Sequence, residues 1–356
     1  MSAGVLDEVV RRHTAGPRPA FTAAQILVLV DGEPIAELVH GVEQAYSDAD
    51  GAPAADQVPV TTATRFDIAS VTKLLTAALL LEELADHGLG LESRVRDVLP
   101  EYRGTEREDI RFRHLLAHTA GLPPTWGGWR AGPGPEQARA ALLALAPGTA
   151  PGTVHAYSCI GYLHAGFAIE ALAGEPLDAV LRRRIAGPLR LAATGYRPER
   201  DEPVAATEWQ ERPRPGITRG AVHDETARAL GGVAGNAGVF ATARDLARFG
   251  EELRTGAHGV LRETVRTLMQ RPIAPAGLQP AYEQAAGPRL ADSANFGRLA
   301  DGGVGHTGFT GTMLLMHPAR RLSLVALTNR VHPNREWSDP SVFRRDLADA
   351  VIELIA

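Results

Sequence analysis

The sequence predicts a mixed α/β fold of the α+β kind, a sheet assembled from both chain ends with a helical middle inserted as a second lobe. Three observations carry that expectation. Apolar runs bounded by turn residues, the pattern of strands, occur at 25–40 and again at 302–328. Between them, from about 71 to 186, the pattern is mainly helical. With 356 residues, 44% of them apolar and 22% charged, the chain is also long and apolar enough to bury a large core.

Residues 1–18 read as a short amphipathic helix, with Val5, Leu6, Val9 and Val10 set against Asp7, Glu8, Arg11 and Arg12. They lack the apolar stretch and small-residue cleavage site of a signal peptide, so a cytoplasmic protein is expected. Strands are expected at 25–30 and 35–40, joined at Asp31-Gly32, a strong hairpin signal. A small-residue loop over 47–56 then leads to Phe66-Asp67-Ile68-Ala69. The helix expected over 71–87 is apolar on nearly every side (Leu74, Leu75, Ala77, Ala78, Leu79, Leu80, Leu81, Leu84), which places it between layers. Its apolar run, 74–81, is too short to span a bilayer.

Gly88 and Gly90 end that helix, and shorter helical pieces are expected at 95–99 and 110–118. Pro and Gly crowd 123–134 around Trp126 and Trp129, a loop that would either wall a pocket or pack on the solvent side. Helices at about 135–146, 160–173 and 176–186 are separated by a strand-like 152–158. A long loop covers 195–222, and Thr242 caps a helix over 243–253. Strands at 302–306, 311–317 and 322–328 and a helix over 341–355 complete the chain.

The net charge of −5 gives no reason to expect nucleic acid or an acidic membrane as a partner. Cys159 is the only cysteine, so no intramolecular disulfide can form. No His/Cys/Glu spacing suits zinc, so neither a metal nor a cofactor is expected.

Lys73 is the only lysine, and the other 36 cationic side chains are arginine. A guanidinium stays protonated, whereas an amine can lose and regain a proton, so its survival three residues after Ser70 suggests a need for an amine. Residues i and i+3 share a helix face, so Ser70 Oγ and Lys73 Nζ can meet. Read alone, the four residues also suit an ordinary N-cap serine followed by a helical lysine.

Two further pieces bear on the choice: Tyr157-Ser158-Cys159 just before a helix, and His306-Thr307-Gly308 on a strand, followed by Phe309-Thr310-Gly311-Thr312. His114-Leu115-Leu116-Ala117-His118-Thr119-Ala120-Gly121-Leu122 precedes both, and Gly232-Val233-Ala234-Gly235-Asn236-Ala237-Gly238 falls between them. In this order and spacing the chain resembles the serine β-lactamase-like family over about residues 25–330. The nearest branch is that of class C β-lactamases, penicillin-binding carboxypeptidases and related esterases and transacylases.

The resemblance implies a β-lactamase/transpeptidase-like fold, an antiparallel sheet from both chain ends flanked by helices, in one catalytic domain over 1–356. Its α/β lobe would comprise about 1–72 and 240–356, and its helical lobe 73–239. It also implies that Ser70 attacks a carbonyl to form an acyl-enzyme, with Lys73 and Tyr157 as the base pair. The oxyanion hole would be the backbone N–H groups of Ser70 and Phe309. His306, Thr307, Gly308, Cys159, Trp126, Trp129 and Asn236 are the substrate-binding candidates. Asn236 and His223-Asp224-Glu225 would line the pocket or order the 195–225 loop.

Two departures narrow the expected chemistry. The β-lactamase pattern has Lys where this chain has His306, which is largely neutral at pH 7. It has Asn where this chain has Cys159, a poor replacement donor and acceptor. The expected activity is therefore hydrolysis of an ester or amide, esterase-like rather than that of an efficient β-lactamase, with a small-molecule acyl donor as partner. The alternatives are a transacylase of natural-product biosynthesis, using an amine or alcohol acceptor, and a non-catalytic covalent binder or sensor.

Overall fold

Asp31 and Gly32 both take positive φ, +57° and +83°, as a two-residue turn must to follow the twist of its strands. They join β1 (Ala23–Val30) to β2 (Glu33–Gly41) in the expected hairpin. The structure, a computed structural model, describes residues 3–275, 278 and 281–356. Its main sheet adds β3 (Glu283–Gln284), β4 (Arg289–Leu290), β5 (Val304–Thr307), β6 (Met313–His317) and β7 (Leu322–Thr328). The order is β2-β1-β7-β6-β5-β4-β3, and every neighbouring pair is antiparallel. Ala24 to Val30 pair with Thr328 to Leu322, so the two ends of the chain meet inside one sheet, as expected.

The longest helices among the described residues are α1 (Ala3–Thr14), α2 (Thr72–Asp86), α3 (Cys159–Ala173), α4 (Ala243–Thr255) and α5 (Pro340–Leu354). Alternate residues of a strand face opposite ways, and the core divides accordingly. Ile26, Val28, Leu324 and Ala326 pack under Leu6 and Val10 of α1 and Phe343 and Leu347 of α5. Leu27, Leu29, Val325 and Leu327 belong to the core that takes in α4 and α2. Every residue of α2 from Thr72 to Leu84 is buried, including Lys73. No helix among the described residues is long and apolar enough to cross a membrane.

A second, three-stranded sheet joins 66–67, 239–241 and 195–196, pairing Asp67 and Gly195 with Phe240. It anchors the chain three residues before Ser70.

Several expectations need correction. Residues 152–158 form no strand, because their N–H groups bond to loop carbonyls instead of a ladder: Gly152 to Thr119 and Ala156 to His118. The 95–99 helix is reduced to single turns at 95–97 and 100–102. The 110–118 helix is only Phe112–Leu116, because His118 leaves helical geometry at φ +56°. Of the amphipathic segment 1–18, Ala3–Thr14 is helical, and residues 1 and 2 lie outside the described residues. The two-residue strands β3 and β4 were not expected, since two residues carry no readable period.

Candidate active site

Ser70 occupies a single tight turn, Ala69–Val71, that runs directly into α2. Ala69 has φ +45°, a left-handed conformation that costs a residue with a Cβ about 1–2 kcal/mol. Strain of this kind persists only where neighbours over-determine it. Asp67 does so on one side: its carboxylate accepts the N–H of Ala69 at 2.8 Å and that of His223 at 2.7 Å. Thr310 and Thr312 do so on the other, donating to the carbonyls of Asp67 at 2.7 Å and Ile68 at 2.9 Å.

These bonds dock the end of β5 against the serine turn. Gly308 lies so close that a Cβ there would be 2.0 Å from Thr312 Oγ1 and 2.5 Å from Ile68 O. Arg344 of α5 donates to the carbonyls of Gly308 and Thr312, bracing the same turn from behind. Gly308 is thereby held against Ile68 and Ala69, the residues just before half-buried Ser70.

Lys73 is fully buried. An ammonium has three donors, and Nζ finds three acceptors: Ser70 Oγ at 2.9 Å, the Asn236 carbonyl at 2.9 Å and Cys159 Sγ at 3.6 Å. Burial works to lower its pKa. Attraction to Cys159, Tyr157 and Asp224 outweighs burial and holds the ammonium above the usual lysine range. The Asn236 carbonyl reaches Lys73 because Gly235 packs against α3, where a Cβ would meet Tyr162 O at 2.1 Å. Asn236 thus acts here through its backbone, while its buried side-chain amide has no partner among the described residues.

The Tyr157 ring centroid is 5.1 Å from Lys73 Nζ and 6.1 Å from the His306 ring. His306 is buried, and burial with the charges of Arg289 and Lys73 holds its pKa well below the usual histidine range. Its Nδ1 lies 2.7 Å from the Thr307 carbonyl, which can only accept, so Nδ1 carries the proton and Nε2 is bare. His306 is neutral, as its sequence position suggested.

The permanent cation comes from a residue sequence reasoning passed over. Arg289 on β4 pairs with Gly305 beside His306, and its guanidinium lies 5.3 Å from the Tyr157 centroid and 4.5 Å from that of Tyr282. Its chain position gave no signal, being one arginine among 36.

Phe309 is 47% exposed, with Arg330 at 4.4 Å, Arg335 at 5.3 Å and the His223 ring stacked at 5.7 Å. Beneath it His223 meets Glu208 at 2.9 Å, and Arg335 Nε donates to the same carboxylate at 2.7 Å. Burial would raise the Glu208 pKa, but these two partners pull it down to about 2.

Ser70, Lys73, Tyr157, Cys159, Asn236 and the 306–309 segment therefore come together. Among the described residues neither tryptophan has a hydrogen bond or ring contact to Ser70, Lys73 or Tyr157. Trp126 packs on the core, whereas Trp129 lies under Arg130 and lines a cavity of about 570 Å³ with Arg212 and Arg228. Among the described residues no group of three or more His, Cys, Asp or Glu could hold a metal ion.

The family model described as Beta-lactamase matches residues 6–349. The chain belongs to the beta-lactamase family. An N-acetylmuramyl-L-alanine amidase of Bacillus subtilis (strain 168) is 30% identical, with 96% of this chain and 84% of the relative covered. A putative D-alanyl-D-alanine carboxypeptidase of Escherichia coli (strain K12) is 29% identical, over 88% and 79%. The fold is shared with EstCE1, a hydrolase with promiscuous acyltransferase activity (TM-score 0.78, 23% identity, 98% and 97% covered). It is shared also with the LovD6 mutant of simvastatin synthase, LovD, from Aspergillus terreus (TM-score 0.76, 18% identity, 98% and 94% covered). As a beta-lactamase-family protein this chain is a serine acyl-enzyme hydrolase or acyltransferase.

Proposed function

We propose that the protein cleaves an ester or amide through an acyl-enzyme on Ser70. The observation that carries this reading is Lys73 Nζ at 2.9 Å from Ser70 Oγ, with Tyr157 alongside. Ser70 Oγ forms a bond to the substrate carbonyl carbon while its proton passes to the Tyr157 oxygen, which must be a phenolate to accept it and which the Lys73 ammonium supports electrostatically. The carbonyl oxygen becomes an oxyanion facing the N–H groups of Ser70 and Phe309, donors commonly worth about 3 kcal/mol each. The tetrahedral adduct collapses as the leaving group takes the proton from Tyr157. Water then attacks the acyl-enzyme by the same steps in reverse and releases the acid.

His306, Thr307, Gly308, Cys159 and Asn236 border this proposed site. Arg289, whose side chain is 16% exposed, supports a substrate that carries a carboxylate near the scissile bond. The setting proposed is the cytoplasm, tested by cell fractionation.

Transfer to an amine or alcohol is the second reading. Cys159 favours it over efficient β-lactam hydrolysis, because a half-buried thiol beside Lys73 is a poor partner for an acyl amide. Partitioning of a labelled acyl donor between water and added amines separates the two.

The deciding experiment is intact-protein mass spectrometry after incubation with short p-nitrophenyl esters, nitrocefin or a fluorophosphonate. Wild type should turn over the esters and carry a Ser70-dependent adduct, with little nitrocefin cleavage. Ser70→Ala should fold normally and lose more than about 1,000-fold in activity. A folded, active Ser70→Ala would end this reading. Stoichiometric labelling without turnover would turn it into that of a covalent binder.

A further inference from the structure

The short helix Phe112–Leu116 is capped at Ala117, and the next residue, His118, takes φ +56°. Glycine adopts that conformation freely and a residue with a Cβ does not. An imidazole kept where glycine would be less strained points to a use for the ring.

The use is visible in what His118 touches. Its carbonyl accepts the N–H of Ala156 at 2.9 Å, and its Nδ1 accepts the N–H of Ser158 at 3.1 Å. Its ring lies against the Tyr157 ring, centroids 4.4 Å apart. One residue therefore holds the N–H groups of the residues before and after Tyr157 and packs on the phenol ring itself. Residues 152–158 belong to no strand or helix, so no regular structure does that work instead.

The imidazole is itself fixed. It is 2% exposed and packs on the Tyr162 ring at 5.2 Å, while Tyr162 donates its hydroxyl proton to the Leu116 carbonyl at 3.0 Å. Burial, with the charges of Lys73, His155 and Arg289, keeps the ring neutral. Neutrality matters here, since an imidazolium would carry a proton on Nδ1 and could not accept the Ser158 N–H.

We propose that His118 is a positioning residue for the Ser70 reaction, setting the place of the Tyr157 phenol through its paired bonds to residues 156 and 158 and its ring. The proposal rests on the reading of Tyr157 as the proton-transfer group.

The test compares His118→Ala, His118→Asn, Tyr157→Phe and the His118→Asn/Tyr157→Phe double variant. Steady-state hydrolysis of a p-nitrophenyl ester is measured well below each melting temperature. Asn tolerates left-handed backbone and offers an acceptor oxygen without a ring, so it keeps the test open if the Ala variant does not fold. Displacing a catalytic group by about 1 Å can cost about 100-fold in rate. His118→Ala should accordingly lose about that much in kcat with little change in KM, and His118→Asn should recover part of it. In the Tyr157→Phe background His118→Asn should cost nothing further, because a residue that acts only through Tyr157 has nothing left to act on.

Independent, additive losses in the double variant overturn the proposal, as does a wild-type kcat in folded His118→Ala or His118→Asn. A wild-type kcat in Tyr157→Phe instead removes the role of Tyr157, and the role of His118 with it.

Discussion

A guanidinium 5.3 Å from the Tyr157 ring changes what His306 means. Taken alone, a neutral histidine in place of a lysine leaves nothing to attract a substrate carboxylate. Arg289 restores a positive charge from the neighbouring strand, bound to Asp292 at 3.1 Å but still partly open. A hydrogen bond to a charged partner is worth about 1.5–3 kcal/mol. Arg289→Met should therefore raise KM for an ester carrying a carboxylate by about 10- to 100-fold, and KM for its neutral methyl-ester counterpart far less. Equal changes for the two substrates would show that Arg289 reads no charge. The same geometry explains why Arg289 was not legible in the sequence: it reaches Tyr157 across 132 positions of chain, and nothing local marks it among the other arginines. Ser70 and Lys73 were legible for the opposite reason. Their contact needs only one turn of helix.

At the scale of elements, the serine turn and the end of β5 behave as one unit, because Thr310, Thr312 and Gly308 all close on residues 67–69. Gly308→Ala would drive a Cβ into Thr312 Oγ1 and the Ile68 carbonyl. Overpacking of this kind costs about 1–3 kcal/mol. The strand end must shift away from Ser70 to relieve it, so chemical denaturation should show that loss together with a fall in kcat. Wild-type stability and kcat in this variant would mean the docking is looser than described. The long elements were readable because they are buried on every side and so written as unbroken apolar runs: β1 and β7 are apolar throughout, and α2 is apolar all round. Segment 152–158 misled because its apolar and β-branched residues imitate a strand while its backbone bonds go to a loop. Such pairings are set by tertiary contact, and no local pattern announces them.

At the scale of the whole molecule, the face behind Phe309 is held by a network linking the long 195–222 loop to the chain beyond β7. Glu208 accepts from His223 and from Arg335, and Arg335 also reaches Glu225 at 3.0 Å. His223 in turn donates its N–H to Asp67, so the network ends at the serine turn. The Glu208 side chain is 9% exposed and its pKa falls from 4.5 to about 2. A carboxylate with a folded pKa below its unfolded value stabilises the protein fully above the unfolded value, and that stabilisation is lost as pH falls towards the folded one. A shift of this size corresponds to about 3 kcal/mol. Removing the charge by Glu208→Gln should thus lower stability by about that amount at pH 6–7, with the gap from wild type narrowing through pH 4.5 and closing near pH 2. Denaturant melts of both proteins across that range measure the gap directly. A gap that stays constant with pH would mean that Glu208 contributes through packing and hydrogen-bond geometry, not charge. A gap that closes on this schedule would tie acid sensitivity of the fold to the same carboxylate that steadies His223, Asp67 and the turn carrying Ser70. Activity should then fall no later than stability as the pH is lowered.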